Sequence, residues 1–384
     1  MALKVSKRGA VPPFIVMDVL RAANRRQAES GNVLHLELGQ PSTGAPAGVL
    51  EAARHALETD PIGYTEAFGL PALRERIAAS YEAAQGIAPD PERVVITTGS
   101  SGGFVLAFLA AFDPGDRVAL ADPGYPGYRN ILLALGIEPV AVPCGPETRF
   151  QPTPELLEAL DEPVDGLIVA SPSNPAGTML TEETLGALAS YCRDRGIRLI
   201  SDEIYHGITY AAPGASALRF TDDAVVINSF SKYYSMTGWR IGWMVVPPDL
   251  LRSTECLAQN LYISAPTLSQ HAAVAAFDCI PELDANVARY ARNRALLLAG
   301  LPACGIDRLA PSDGAFYLYA DIAHLTNDSE AFCRRMMEET GVTTAPGVDF
   351  DRKRGDTWMR ISFSGATDTI AEAVSRLQAW LPKA

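Results

Sequence analysis

Asn228-Ser229-Phe230-Ser231-Lys232-Tyr233-Tyr234-Ser235-Met236-Thr237-Gly238-Trp239-Arg240-Ile241-Gly242-Trp243 is the stretch on which the reading of this chain turns. An apolar run at 224–228 leads into it, a turn of small residues presents one lysine, and Arg240 follows eight positions later. A second apolar run at 241–246 leads out. A lysine in a Ser- and Gly-rich turn is ordinarily a solvated loop residue. What raises Lys232 above that default is the company it keeps at the ends of other apolar runs.

Those runs recur. Short β-branched segments at 93–98, 117–121, 138–142, 166–170, 197–201, 224–228 and 241–246 alternate with helical stretches that include 104–112, 129–135, 154–160 and 182–195. The alternation predicts βαβ units, and so an α/β fold with a mostly parallel seven-stranded sheet flanked by helices. Strands covered on both faces need continuous apolar sequence, as these have. Upstream lie an irregular arm at 1–14, an amphipathic helix at 15–30, a strand-like run at 33–38 and helices at 46–58 and 70–84. Downstream, a helical stretch at 268–300 is broken at Pro281. Strands at 315–320, 342–345 and 358–363 and helices at 328–340 and 367–380 then predict a smaller α/β domain. The expected division is an arm (1–14), a large domain (45–280) and a small domain built from 15–44 and 281–384.

With 45 acidic against 32 basic residues the formal net charge is −13, which argues against a nucleic-acid partner. A few arginines can still make a local pocket for a small anion. The six cysteines include no CxxC pair and show no metal-ligand spacing, so they read as reduced thiols of a cytoplasmic protein. No secretory apolar segment opens the chain, and apolar runs such as 105–112 are too short to span a bilayer.

In open α/β sheets, ligands bind beyond the carboxyl ends of the strands. The first run here is followed by Gly99-Ser100-Ser101-Gly102-Gly103, the second by Asp122-Pro123-Gly124-Tyr125, and the fourth by Ser173-Asn174-Pro175. The fifth is followed by Asp202-Glu203-Ile204-Tyr205 and the sixth by Ser229 and Lys232. Singly each has an ordinary explanation: Asp202 a helix cap, Asn174-Pro175 a turn, Tyr125 a surface aromatic, Arg360 an ion pair, Tyr64 a core residue. Jointly they suit pyridoxal phosphate. A lysine forms a Schiff base with the aldehyde, and a carboxylate keeps the ring nitrogen protonated. An aromatic stacks on the ring, an amide and a phenol bond its 3′-oxygen, and a small-residue turn with an arginine holds the phosphate.

The chain resembles the fold-type-I, class I/II pyridoxal-phosphate aminotransferases of the aspartate-aminotransferase-like branch. The resemblance runs from Leu38-Gly39 to Arg360 and rests on the motifs above, together with Tyr64-Thr65, Gly238-Trp239-Arg240-Ile241-Gly242 and Arg360-Ile361-Ser362-Phe363. It implies that Lys232 carries the Schiff base and shuttles the proton, with Asp202 on the ring nitrogen and Tyr125 stacked on the ring. It assigns Asn174 and Tyr205 to the 3′-oxygen, and Gly99, Ser100, Ser101, Ser229 and Arg240 to the phosphate. It implies a homodimer with shared sites, in which Tyr64 of the partner subunit completes the phosphate site. Arg360, with Asn174 and the Gly39 backbone, would receive the substrate carboxylate. The implied reaction is ping-pong transfer of an amino group from an L-amino acid to a 2-oxo acid; the alternative on the same scaffold is a carbon–sulfur β-lyase. A regulator with an appended DNA-binding helix-turn-helix is disfavoured, since only 38 residues precede Gly39.

The substrate side chain is less determined. Aspartate-preferring relatives place an arginine where this chain has Gln259-Asn260-Leu261-Tyr262, or a lysine where it has Ser101. Neither cation is present, which leaves a dicarboxylate donor without its usual partner unless Arg21 or Arg25 substitutes, and a neutral, apolar or aromatic donor at least equally open.

Overall fold

The structure, a computed structural model, describes residues 3–381. The expected arm (1–14) and small domain (281–384) each run slightly beyond that range. The polypeptide enters through α1 (Ile15–Ser30), β1 (Leu34–His35), α2 (Ala47–Thr59) and α3 (Pro71–Gln85). Phe14, before α1, offers no side-chain cap. The orphan amides are met instead by Asp349, whose carboxylate accepts from Ile15 N at 3.1 Å and Val16 N at 3.0 Å. One end of the chain is thereby tied to a loop near the other.

Next come β2 (Val94–Thr97), α4 (Gly99–Ala111), β3 (Arg117–Asp122), α5 (Pro126–Leu135), β4 (Glu138–Pro143), β5 (Gly166–Ala170), β6 (Arg198–Asp202), β7 (Val225–Ser229) and β8 (Gly242–Val245). They build a seven-stranded sheet in the order β2-β8-β7-β6-β5-β3-β4. Every pairing is parallel except those of β8, which runs antiparallel to both β2 and β7. The twelve residues between β7 and β8 hold one 3₁₀ turn (Thr237–Trp239) and no crossover helix, so the chain comes back antiparallel; parallel neighbours need a crossover. The strand order reverses direction between β3 and β5, the place where doubly wound sheets open a crevice. Helix α4 begins at Gly99, ahead of the expected stretch at 104–112. Glycines and serines are weak helix formers, yet here they supply the first turn of a buried helix.

The second layer contains β9 (Arg308–Leu309), β10 (Tyr317–Asp321), β11 (Val342–Thr343), β12 (Ala345–Pro346) and β13 (Trp358–Ser362). Four of them form an antiparallel sheet in the order β12-β13-β10-β9, with helices Ile280–Gly300, Ser329–Thr340 and Thr367–Trp380 alongside. The expected strand at 33–38 shortens to two residues. Beyond its pairing with β11, Leu36 turns to accept from Ser362 N at 2.8 Å, which carries Gly39 toward the crevice. The run at 342–345 likewise divides, because Thr343 pairs with His35 and Ala345 with Arg360. The break expected at Pro281 is present: helix Thr267–Ala276 ends, and Pro281 sits in the first turn of Ile280–Gly300.

Candidate active site

A cleft of about 560 Å³ lies at the carboxyl ends of the parallel strands, facing α1 and the Leu38-Gly39-Gln40 segment. Lys232, Asp202, Tyr205, Asn174, Tyr125, Ser100, Ser101, Arg240, Arg360 and Gly39 all line it. Five strand ends, the Gly39 segment and β13 therefore converge on one space, as the sequence reading expects.

Lys232 leaves the turn after β7. The turn is braced by Ser231 N donating to Ser229 Oγ (3.0 Å) and by Thr237 Oγ1 donating to Ser231 O (2.8 Å). Lys232 Nζ donates to Gly39 O at 2.5 Å. Burial, reinforced by the charges of Arg360 and Arg240, pushes its ammonium down to about 8, against the opposing pull of Asp202. The neutral amine is the nucleophile, so capture of an aldehyde should rise with pH through about 8 and then level off, well below a free lysine's range. Stopped-flow mixing of cofactor-free protein with pyridoxal phosphate measures this; a midpoint near that of free lysine would contradict it.

Asp202 closes β6 and is 4% exposed. Tyr128 donates a short hydrogen bond to Oδ2, and Ile204 N donates to Oδ1 at 3.0 Å. Burial raises the carboxyl to about 6, although the Tyr128 bond favours its ionised form. The Tyr125 ring lies 5.1 Å from that of Tyr128, and the Phe14 ring stands edge-on to it at 5.7 Å.

At the N-terminus of α4, Ser100 and Ser101 face the cleft beside Arg240. Gly99 has φ +74°, and a Cβ there would stand 2.5 Å from Arg240 Nη2. Only glycine lets the guanidinium come this close to the first turn of the helix. Ser229 does not line the cleft. Buried behind the wall, its Oγ bonds Ile241 O at 3.1 Å, and Ser231 is the serine that reaches the cleft. On a continuing strand the two serines would share one face, but β7 ends at Ser229 and the chain turns, so a motif names both without saying which one faces inward. Tyr64 lies outside the cleft and is 82% exposed.

Arg360 stands on β13 and is 2% exposed. Its Nη1 donates to Asn174 Oδ1 at 2.9 Å, its Nη2 to Glu37 O, and its Nε has no partner. The rings of Tyr317 and Phe350 lie 4.5 and 4.7 Å from its Cζ. The buried cation thus retains donor capacity for a carboxylate.

Sequence reasoning missed Tyr128, Tyr317 and the wall formed by Phe14, Val16, Met17, Leu20 and Leu38. Tyr128 was within reach, since it follows Tyr125 by three positions, one helical turn away. The α1 residues were not, because an apolar helix face reads as core packing. Arg21 and Arg25 do not line the cleft; Arg21 is exposed and pairs with Asp18 at 2.6 Å. Asn260 is exposed and donates to Cys256 O at 2.8 Å. His206 stands beside buried Glu203, at 3.5 Å, outside the cleft. Among the described residues there is no cluster able to hold a metal ion and no helix long and apolar enough to cross a membrane.

Comparison with known proteins agrees with this geometry. The family "Aminotransferase class I and II" matches residues 31–377. The chain is 55% identical over 386 residues to a valine–pyruvate aminotransferase of Mycobacterium tuberculosis, covering 100% of both. It is 33% identical to a (5-formylfuran-3-yl)methyl phosphate transaminase of Methanocaldococcus jannaschii, covering 96% of this chain and 97% of that one. A crystal structure of an aminotransferase from Mycobacterium tuberculosis superposes with a TM-score of 0.98 at 55% identity, over 100% of each chain. The chain belongs to the class I and II aminotransferases.

Proposed function

We propose that this enzyme moves the amino group of a neutral, apolar L-amino acid onto a 2-oxo acid, with pyridoxal phosphate held in the cleft. The observation that carries the reading is one cavity in which a depressed lysine, a buried carboxylate and a buried arginine face an apolar wall. The cofactor fits this donor set. Lys232 offers the amine, Asp202 an anion for the ring nitrogen, and Tyr125 an aromatic face. Asn174 and Tyr205 offer an amide and a phenol for the 3′-oxygen. Arg240, Ser100 and Ser101 make a cationic cradle with helix N–H groups for the phosphate, and Gly99 leaves it room. Ser231 lines the cradle where Ser229 cannot.

Bound there, pyridoxal phosphate supplies an electron sink for the pair left when the substrate Cα–H bond breaks. Arg360 and Asn174 grip the substrate carboxylate and set that bond within reach of Lys232. Lys232 takes the proton as general base and returns it as general acid, a role suited to an amine poised near 8. Met17, Leu20 and Leu38 receive the side chain and keep water out. The wall carries no cation, and the similarity to a valine–pyruvate aminotransferase supports the same choice of donor and acceptor. The family's homodimer gives exposed Tyr64 a use, at the phosphate site of a second copy. On this reading residues 45–280 form the large domain, and 15–44 with 281–384 the small one. The enzyme acts in the cytoplasm with its thiols reduced.

The test is a panel of amino donors with pyruvate or 2-oxoglutarate, scored by the spectrum of the cofactor-loaded protein. Branched aliphatic donors should outrun aspartate. Met17→Arg should lower kcat/KM for them by about 10- to 100-fold, the range over which one pocket group discriminates. A preference for aspartate in the unaltered protein would overturn the substrate assignment. Pyruvate release from a cysteine conjugate with no added oxo acid would identify a lyase instead.

A further inference from the structure

Tyr317 belongs to none of the motifs singled out in the sequence, yet it touches several of the site's working parts. It is 1% exposed on β10, where it pairs with Ser362. That register places Arg360 two residues before Ser362 on β13, diagonally opposite Tyr317 and on the same face. The Tyr317 ring lies 4.5 Å from Arg360 Cζ, within cation–π range. Its hydroxyl meets the Tyr205 hydroxyl at 2.7 Å. That hydroxyl also fills the space beside Gly39, where a Cβ would stand 1.8 Å from it. The carbonyl of Gly39 is in turn the acceptor for Lys232 Nζ at 2.5 Å. One phenol therefore abuts the carboxylate clamp, the phenol expected at the 3′-oxygen and the peptide that holds the lysine.

We propose that Tyr317 is a positioning residue that orders the proton of Tyr205 and steadies Arg360 through two separable parts, hydroxyl and ring. The inference rests on pyridoxal phosphate occupying the cleft. Tyr205 has one hydroxyl proton. If it is spent on the 3′-oxygen, the 2.7 Å contact can be filled only by Tyr317 donating to the Tyr205 oxygen. A hydrogen bond accepted there polarises the Tyr205 O–H and strengthens its own donation. Arg360 sits above the ring of the same residue, so a carboxylate that moves Arg360 is felt at Tyr205 through a single side chain.

The two parts predict different readouts. The visible band of the loaded protein titrates with pH, and donation to the anionic 3′-oxygen holds that midpoint down. Tyr317→Phe keeps the ring and loses the hydroxyl. It should raise the midpoint by roughly 0.3 to 1 pH unit, the size of one hydrogen bond. Tyr205→Phe should raise it further, and the double variant no further than Tyr205→Phe alone, because the hydroxyl of Tyr317 acts only through Tyr205. Tyr317→Leu loses the ring as well. It should weaken binding of the unreactive carboxylate 3-methylbutanoate about 10-fold, whereas Tyr317→Phe should leave it within about 2-fold. Circular dichroism and melting temperature check that each variant is folded. An unmoved midpoint in folded Tyr317→Phe, or shifts that add in the double variant, overturns the proposal. Unaltered protein that takes up no pyridoxal phosphate overturns the underlying function first, before any variant is compared.

Discussion

Lys232→Ala should abolish transamination, lowering kcat by about 10⁴-fold or more, at or beyond the upper end of what one general acid–base group contributes. The loss is this large because the residue does two jobs, as the cofactor's covalent anchor and as the proton carrier. No other group can take over. The chain has five lysines (Lys4, Lys7, Lys232, Lys353 and Lys383), and among the described residues Lys232 is the one lining the cleft. Lys232→Arg should be equally inactive, because a guanidinium neither attacks an aldehyde nor gives up its proton near neutral pH. The pairing of Lys232 Nζ with the Gly39 carbonyl shows why a shorter amine would not serve: the side chain spans from the turn after β7 to the opposite wall. Reduction of the loaded protein with borohydride, followed by peptide mapping, tests the anchor directly. The label should fall on the peptide containing Lys232. Label on another lysine, or measurable turnover by Lys232→Ala within tenfold of the parent, would sink the assignment.

How far this site was readable depended on where each residue gets its orientation. Lys232, Asp202, Asn174 and Tyr125 follow the ends of parallel strands, and a parallel sheet delivers strand ends to one edge whatever the side-chain packing. Their convergence needed only the apolar rhythm of the chain. The wall of α1 needed more. Its docking depends on Asp349 capping Ile15 and Val16 from more than 300 residues away, and no local pattern announces a cap that distant. Ser229 and Ser231 show the limit at finer scale, because the choice between them is a matter of which way one bond points after β7. Tyr317 was hidden for a third reason. It lies on an antiparallel strand of the second sheet, where tyrosine is simply a good strand residue. Its hydroxyl acquires meaning only from a contact made across the two layers.

Asp202→Asn should be the second severe lesion, lowering kcat by about 10²- to 10³-fold, the typical cost of one preorganised electrostatic partner. The substitution preserves shape. The asparagine oxygen can still accept from Ile204 N, and its NH₂ group, in the place of Oδ2, can donate to the Tyr128 hydroxyl oxygen where the carboxylate accepted from it, so the turn after β6 keeps its contacts. What it cannot do is carry charge opposite a ring nitrogen, which leaves that nitrogen unprotonated and the ring a poorer acceptor of electrons. Arg360 and Asn174 are untouched, so KM for the amino acid should change far less than kcat, the pattern of an interaction made mainly in the transition state. Tyr128→Phe is the informative contrast. It removes the donor but leaves the charge, and should cost about tenfold, the lower end of what one hydrogen bond to a charged group contributes. The pH dependence separates the two further. The Asp202 carboxyl titrates near 6 without cofactor, so affinity for pyridoxal phosphate should fall as pH drops through that value and the anion is lost. In Asp202→Asn that inflection should vanish, while the rise that belongs to Lys232 should remain but move below about 8, since the upward pull of the Asp202 charge is gone. Binding titrations of the cofactor-free proteins across this range decide the matter. An inflection that survives in Asp202→Asn would move the partner of the ring nitrogen to another residue.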